Sequence, residues 1–139
     1  MSDMTHPAPF ASWETRGWWE GAGRGELVLQ RCTACGIVQH KPRGLCAKCL
    51  TSTIEHFVAS GRGIVHTFTV THQNMVPPFS DHLPYVLAYV ELEEGPRVLT
   101  NIVGCDPTEV RIGQAVVADF ATTERDDGEA FAVPRFRPA

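Results

Sequence analysis

The sequence has no uninterrupted apolar run longer than a few residues, far below the ~20 that a membrane-spanning helix needs. A transmembrane helix is thereby excluded. Positive charge is not in excess either. Twelve Lys and Arg stand against 16 Asp and Glu, a formal net charge of −4, which disfavours nucleic-acid binding through bulk charge. There is no GxSxG, no P-loop, no dinucleotide fingerprint and no HExxH, so these motif-borne chemistries have no foothold. Met1–Phe10 lacks a basic stretch leading into an apolar one, so no secretory signal is read and the cytosol is the expected compartment. Repeats and low-complexity tracts are also missing. What is present is ordinary globular material: 139 residues, 43% hydrophobic and 20% charged, about one domain's worth of chain.

Cysteine is the exception. Four of the five cysteines form Cys32-x2-Cys35-x10-Cys46-x2-Cys49, and Cys105 stands alone. Without a secretion signal, paired CxxC units read as a metal site and not as a disulfide framework. Each CxxC turn brings two thiolates to one side of a tight knuckle, and two facing knuckles complete the sulfur tetrahedron that structural Zn²⁺ prefers. Gly36 follows the first knuckle and supplies the positive φ such a turn wants. Leu50 follows the second, so that help is missing there. Four cysteine ligands leave no open position for water or substrate, so the metal is expected to be structural.

Residues 1–9 read as a frayed tail. All three tryptophans, Trp13, Trp18 and Trp19, fall within seven residues, where one or two short helices are expected. Glu26–Arg31 and Ile37–His40 read as strands entering and leaving the first knuckle. Ile54–Val58 reads as a lead-in to a series of β-runs at Gly63–His72, Tyr85–Leu92, Val98–Val103, Ala115–Thr122 and Ala130–Val133. Glu94-Gly95-Pro96, Asp106-Pro107, Ile112-Gly113 and Asp126-Asp127-Gly128 mark turns between them. The expected fold is mainly β: short N-terminal helices over 1–25, a four-cysteine zinc ribbon over 26–52, and a five-stranded OB-fold barrel over 53–139. The longest loop, Gln73–Pro84, carries three prolines and several apolar residues.

The segments WWEG (18–21), GELVLQRC (25–32), CTACG (32–36), KPRGLCAKC (41–49), SGRGIVHTFTV (60–70), PYVLAYVELEEG (84–95), VLTNIVG (98–104), IGQAVVADF (112–120) and FRPA (136–139) together resemble the DUF35 family. That family pairs a rubredoxin-like zinc ribbon with an acyl-CoA-associated OB-fold domain. The resemblance runs from about residue 15 to the last residue. It implies that Cys32, Cys35, Cys46 and Cys49 are the zinc ligands. It also implies a non-catalytic accessory subunit that holds together a complex with a thiolase, a thiolase-like acyltransferase or a lipid-transfer-protein-type aldolase, and that meets the CoA portion of the substrate. The second knuckle, CAKCL, departs from the family's usual CPxCG.

No catalytic set is read from the residues themselves. The six histidines (6, 40, 56, 66, 72 and 82) are scattered. His66 and His72, six apart on one strand, are expected on one face but ~20 Å apart along it. Cys105 reads as a small packed residue. Residues 16–48 hold six basic side chains against two acidic ones, a mild basic patch on an acidic chain. Arg31, Lys41 and Arg43 are therefore the candidates for contact with a partner or with CoA. Trp18, Trp19, Pro78 and Phe79 are the candidates for a partner interface, because tryptophan and other large rings dominate interface hot spots. A core role for the tryptophans stands beside that reading. The competing function is a single-stranded nucleic-acid-binding ribbon and barrel, with Phe68, Tyr85, Tyr89 and Phe120 as stacking rings on an acidic barrel half that lacks the basic groove such a protein needs. A rubredoxin-like electron carrier and a free-standing enzyme are further alternatives.

Overall fold

The computed structural model describes residues 9–124, 128 and 130–139. Most of the expected N-terminal tail and the Asp126-Asp127 part of the last turn lie outside them.

One helix forms in the tryptophan-rich segment, α1 (Arg16–Gly23). Its buried residues are Trp18, Gly21 and Ala22, at i, i+3 and i+4, one stripe of a short amphipathic helix. Trp18 therefore anchors the helix to the core, and its place among the candidate interface residues is corrected: at 7% exposure the side chain is spent on packing. Trp19, next along the helix, is half-buried against the same core.

Three strands make the ribbon sheet: β1 (Val28–Cys32), β2 (Val38–Gln39) and β3 (Ile54–Val58), in the order β2-β1-β3. The third strand was expected to lead into the barrel. It pairs instead along the whole of β1, from Val28 opposite Val58 to Cys32 opposite Ile54. The ribbon sheet is thus completed by chain from beyond both knuckles.

Five strands form the barrel: β4 (Arg62–Thr71), β5 (Tyr85–Leu92), β6 (Arg97–Ile102), β7 (Ala115–Glu124) and β8 (Ala130–Pro138). They close in the order β4-β5-β6-β8-β7, with β7 returning to β4. Closure removes the free edges that an open sheet would expose. Val65, Val86, Val90, Val98, Ile102, Val116 and Phe136 fill the interior. Leu27 and Leu29 of the ribbon, Ala59 after it and Trp18 of α1 join that same cluster. The ribbon thus lacks a separate core, but its inner face is built into the barrel's.

A bulge in β4 changes the histidine reading. Val65 pairs with Val90 and Thr67 with Tyr89, so His66 is the extra residue. The alternation of faces shifts there, and the six-residue spacing no longer puts His66 and His72 on one side. Both are exposed.

Candidate metal centre

Among the described residues, the four side chains gathered closely enough to share one ion are Cys32, Cys35, Cys46 and Cys49, with sulfurs all within 4.8 Å of one another. Cys32 Sγ lies 3.6 Å from Cys49 Sγ, and Cys35 Sγ lies 3.6 Å from Cys46 Sγ. Four sulfurs ~2.3 Å from a tetrahedral zinc stand about 3.8 Å apart, so the cage has the size that ion requires. All four are free thiols.

The two knuckles have the same backbone form. The Gly36 N–H donates to the Cys32 carbonyl at 2.8 Å, and the Leu50 N–H donates to the Cys46 carbonyl at 3.0 Å. Both closing residues take positive φ, +79° for Gly36 and +63° for Leu50. Leucine therefore occupies the left-handed position that glycine fills in the first knuckle. In the second knuckle the N–H groups of Lys48 and Cys49 donate to Cys46 Sγ at 3.3 and 3.4 Å.

Threonine hydroxyls surround the open side. Thr51 Oγ1 is 3.1 Å from Cys49 Sγ and 3.5 Å from Cys32 Sγ, and Thr53 Oγ1 is 3.0 Å from Thr51 Oγ1. The Thr51 hydroxyl first, and the backbone N–H of Cys35 next, hold the Cys32 thiol down to about 5 against its own desolvation. Backbone N–H groups of Cys49 and Lys48 lower Cys46 in the same way. Cys35 goes the other way. Although the Ile37 N–H favours its thiolate, desolvation and the three neighbouring thiols push it up to about 11. The neighbouring thiols thus oppose the Cys35 anion in the bare cage, and a divalent cation removes that opposition.

Two buried glutamines support the loop between the knuckles. Gln30 accepts from the Arg43 N–H and donates to the Arg43 carbonyl, both at 2.9 Å. Gln39 donates to Gln30 Oε1 at 2.8 Å and to the Leu45 carbonyl at 3.1 Å, and accepts from the Ala47 N–H at 2.9 Å. These residues were not singled out from sequence. The available signal was a glutamine at each of two strand positions flanking the first knuckle, where apolar residues would be ordinary.

The three basic candidates separate. Gln30 faces the Arg43 loop, so Arg31, the next residue on β1, projects to the opposite face. There its guanidinium lies 4.0 Å over the Phe57 ring and 3.5 Å from Glu55. Lys41 and Arg43 stay together, lining one cavity of about 700 Å³ beside the second knuckle. Among the described residues neither is in an ion pair. Of the loop candidates, Pro78 and Phe79 are half-buried, Phe79 with its ring 6.1 Å from Tyr85, while Met75 and Val76 project into solvent. An exposed apolar strip also runs along the outer barrel wall, where Tyr89 pairs directly with Leu99 and Leu87 lies two residues along β5. It was hidden in YVLAYVEL, where inward and outward positions are both apolar. Cys105 is half-buried against the core, and desolvation followed by Glu109 and Asp106 raises its thiol, as suits a packed residue.

Known proteins place this arrangement. Residues 19–55 match the family described as the ChsH2 rubredoxin-like zinc ribbon domain, and residues 58–121 match the ChsH2 C-terminal OB-fold domain. A DUF35 domain-containing scaffold protein of Methanocaldococcus jannaschii is 39% identical over 128 residues, covering 88% of this chain and 89% of its own. A probable enoyl-CoA hydratase alpha subunit of Thermomonospora curvata is 37% identical over 133 residues, and the chain spans only 40% of it. The chain likewise spans 35% of the 3-oxo-4,17-pregnadiene-20-carboxyl-CoA hydratase alpha subunit of Mycobacterium tuberculosis, at 39% identity. Among solved structures, a chain of an Ltp2-ChsH2(DUF35) aldolase superposes with a TM-score of 0.81 at 37% identity, covering 94% of this chain and 98% of that one. A Sulfolobus solfataricus DUF35 structure shares the fold, with a TM-score of 0.58 at 15% identity.

Proposed function

Since the chain belongs to the DUF35 family, we propose that it is a non-catalytic, zinc-binding scaffold subunit of an acyl-CoA enzyme complex. The partner in this reading is a thiolase-superfamily enzyme or a lipid-transfer-protein-type aldolase. One observation carries it: the chain covers 98% of the matched chain of the Ltp2-ChsH2(DUF35) aldolase, at 37% identity. Zinc in the four-cysteine cage is part of the same reading, and the sulfur spacing supports it. The metal would hold the knuckles in place and take no part in chemistry, because four thiolates leave it no free position.

Lys41 and Arg43 are the residues of this chain that would meet the CoA portion of the substrate. Arg31, already committed to Glu55 and Phe57, drops out of that role. Trp19 and the loop bearing Pro78 and Phe79 remain the proposed partner-facing groups.

The test is a tagged pull-down of the full chain from its host at native expression level, with the captured proteins identified by mass spectrometry. Recovery of a thiolase-superfamily protein in near-equal amount is expected. Recovery of nucleic acid, or of no partner, overturns the scaffold reading.

A further inference from the structure

The cavity beside the second knuckle has a composition that the metal does not explain. Trp13 forms one wall and is 73% exposed, an unusual position for the largest apolar side chain. The edge of its six-membered ring abuts Gly44: a Cβ there would lie 2.4 Å from Trp13 Cη2, so any larger residue would displace the ring. The Gly44 N–H is held by Glu14 Oε2 at 2.9 Å. The neighbouring Arg43 backbone is fixed by Gln30 at both N–H and carbonyl, at 2.9 Å each. The loop backbone is therefore rigid, while the side chains of Lys41, Arg43 and Leu45 are exposed along the cavity. Leu50 is 71% exposed on the same cavity. Glu14 is the one acid in the lining, and its carboxylate is already engaged with the Gly44 N–H.

An exposed indole face, two aliphatic side chains and two cations without an acidic partner among the described residues are the complement of one ligand class. A purine ring stacks on the indole, and its phosphates meet the cations. At about 700 Å³ the space lies within the range of small-molecule sites. The geometry points to this cavity as a binding site for an adenine nucleotide carrying more than one phosphate, with Trp13 as the stacking residue and Arg43 and Lys41 as phosphate contacts. That the nucleotide is the adenosine end of CoA rests on the function proposed above; the cavity itself does not.

The test uses the full zinc-loaded chain. Adenosine 3′,5′-bisphosphate and CoA are each titrated by calorimetry and by tryptophan fluorescence, and pantetheine serves as the fragment lacking the nucleotide. Both nucleotides bind saturably and quench fluorescence, and pantetheine does not bind. Trp13→Ala and, separately, Arg43→Ala weaken binding about tenfold, the scale of one lost base–aromatic stack or charged contact, with zinc content and melting temperature unchanged. Trp13→Phe keeps part of the affinity and loses most of the quenching. No saturable binding to the wild-type chain, or equal affinity in wild type and both alanine variants, overturns the site. A deoxyadenosine oligonucleotide that binds more tightly than CoA overturns CoA as the source. A chain that captures its enzyme partner but binds no nucleotide refutes this site and leaves the scaffold role standing; nucleotide binding without a partner does the reverse.

Discussion

From Cys32 to Thr53 the buried side chains are Cys32, Gln39 and Cys46; from Val65 to Phe136 valines lead a mostly apolar set that includes Tyr85, Leu92, Ile102 and Phe136, with Thr100 and Arg135 as its buried polar members. The two ends of the molecule are thus held by different forces. Barrel residues gain roughly 1.5–3 kcal/mol for each large apolar side chain buried. The knuckle end has almost no such gain available. Its order comes from sulfur, from hydrogen bonds of Gln30 and Gln39, and from whatever ion occupies the cage. Leu27 and Leu29 connect the two, because they belong to β1 and its lead-in yet pack in the barrel's cluster. The knuckles should therefore depend on the metal while the barrel does not.

Removing the ion tests this difference most severely. In small zinc-finger peptides the apparent binding free energy is ~10–16 kcal/mol, and it is folding free energy. Chelation at neutral pH, or Cys46→Ser, is expected to abolish hydrogen-exchange protection at the Gly36, Cys46 and Leu50 amides. Protection at Val90 and Ile102 should persist. Simultaneous loss in both sets would mean that the shared leucines bind the two ends into one cooperative unit.

The converse change is Phe136→Ala. Phe136 is fully buried on β8, and truncation there costs about 3–5 kcal/mol. Urea unfolding followed by circular dichroism should show that loss. A chromophoric chelator present during the titration should report metal release only at or after the barrel transition. Release well before it would show that the ligands hold the knuckles less firmly than packing holds even the weakened barrel.

Where these forces leave a pattern along the chain, the sequence could be read. The CxxC spacing identified the cage, because tetrahedral ligation needs two tight turns and little else. Four barrel strands were found within two residues of their observed ends, because β-branched runs broken by Gly and Pro leave few alternatives. The last, expected over Ala130–Val133, runs on to Pro138 through Pro134 and two arginines, which do not read as strand. The pairing of Ile54–Val58 was missed because a strand's period does not say which neighbour it takes. Arg31 was grouped with Arg43 because linear proximity hides the alternation that sends Arg31 to the opposite face from Gln30. Trp18 was divided from its true role for a similar reason: tryptophan marks cores and interfaces alike, and only the helix stripe with Gly21 and Ala22 decides between them. The polar support given by Gln30 and Gln39 joins residue 30 to residue 43 and residue 39 to residues 45 and 47, so two glutamines at strand positions mark polar burial but do not say what they hold.

His40 probes the joint between the two regions. Its ring centroid lies 4.5 Å from that of Trp18, and burial first, then Lys41, hold its pKa near 4 instead of 6.5. The folded chain therefore prefers the neutral ring. Between pH 4 and 6.5 the unfolded chain binds the extra proton, so stability rises with pH across that window and is lost on acidification. The single-site limit is on the order of 3 kcal/mol. Metal release also contributes in acid, so the comparison is made against His40→Phe. Denaturant midpoints of that variant should fall less steeply than wild type from pH 6.5 to 4. Parallel curves would show that His40 stays accessible to protons in the fold.

The smallest expected effect separates the knuckles from each other. Gly36 and Leu50 close them with the same hydrogen bond and the same left-handed backbone, but only leucine meets a steric penalty there, about 1–2 kcal/mol. At 71% exposure, Leu50 recovers little of that through burial. Leu50→Gly should therefore stabilise the chain, by less than about 1 kcal/mol once the added freedom of the unfolded state is counted. Gly36→Ala should destabilise it by about 1 kcal/mol or more. Thermal melts of the zinc-loaded proteins would read both. If Leu50→Gly raises the melting temperature yet weakens nucleotide binding, the strained leucine is retained for the cavity wall it forms. If it lowers the melting temperature, the side chain makes packing contacts that outweigh its backbone strain, and the second knuckle is less dependent on metal than the first.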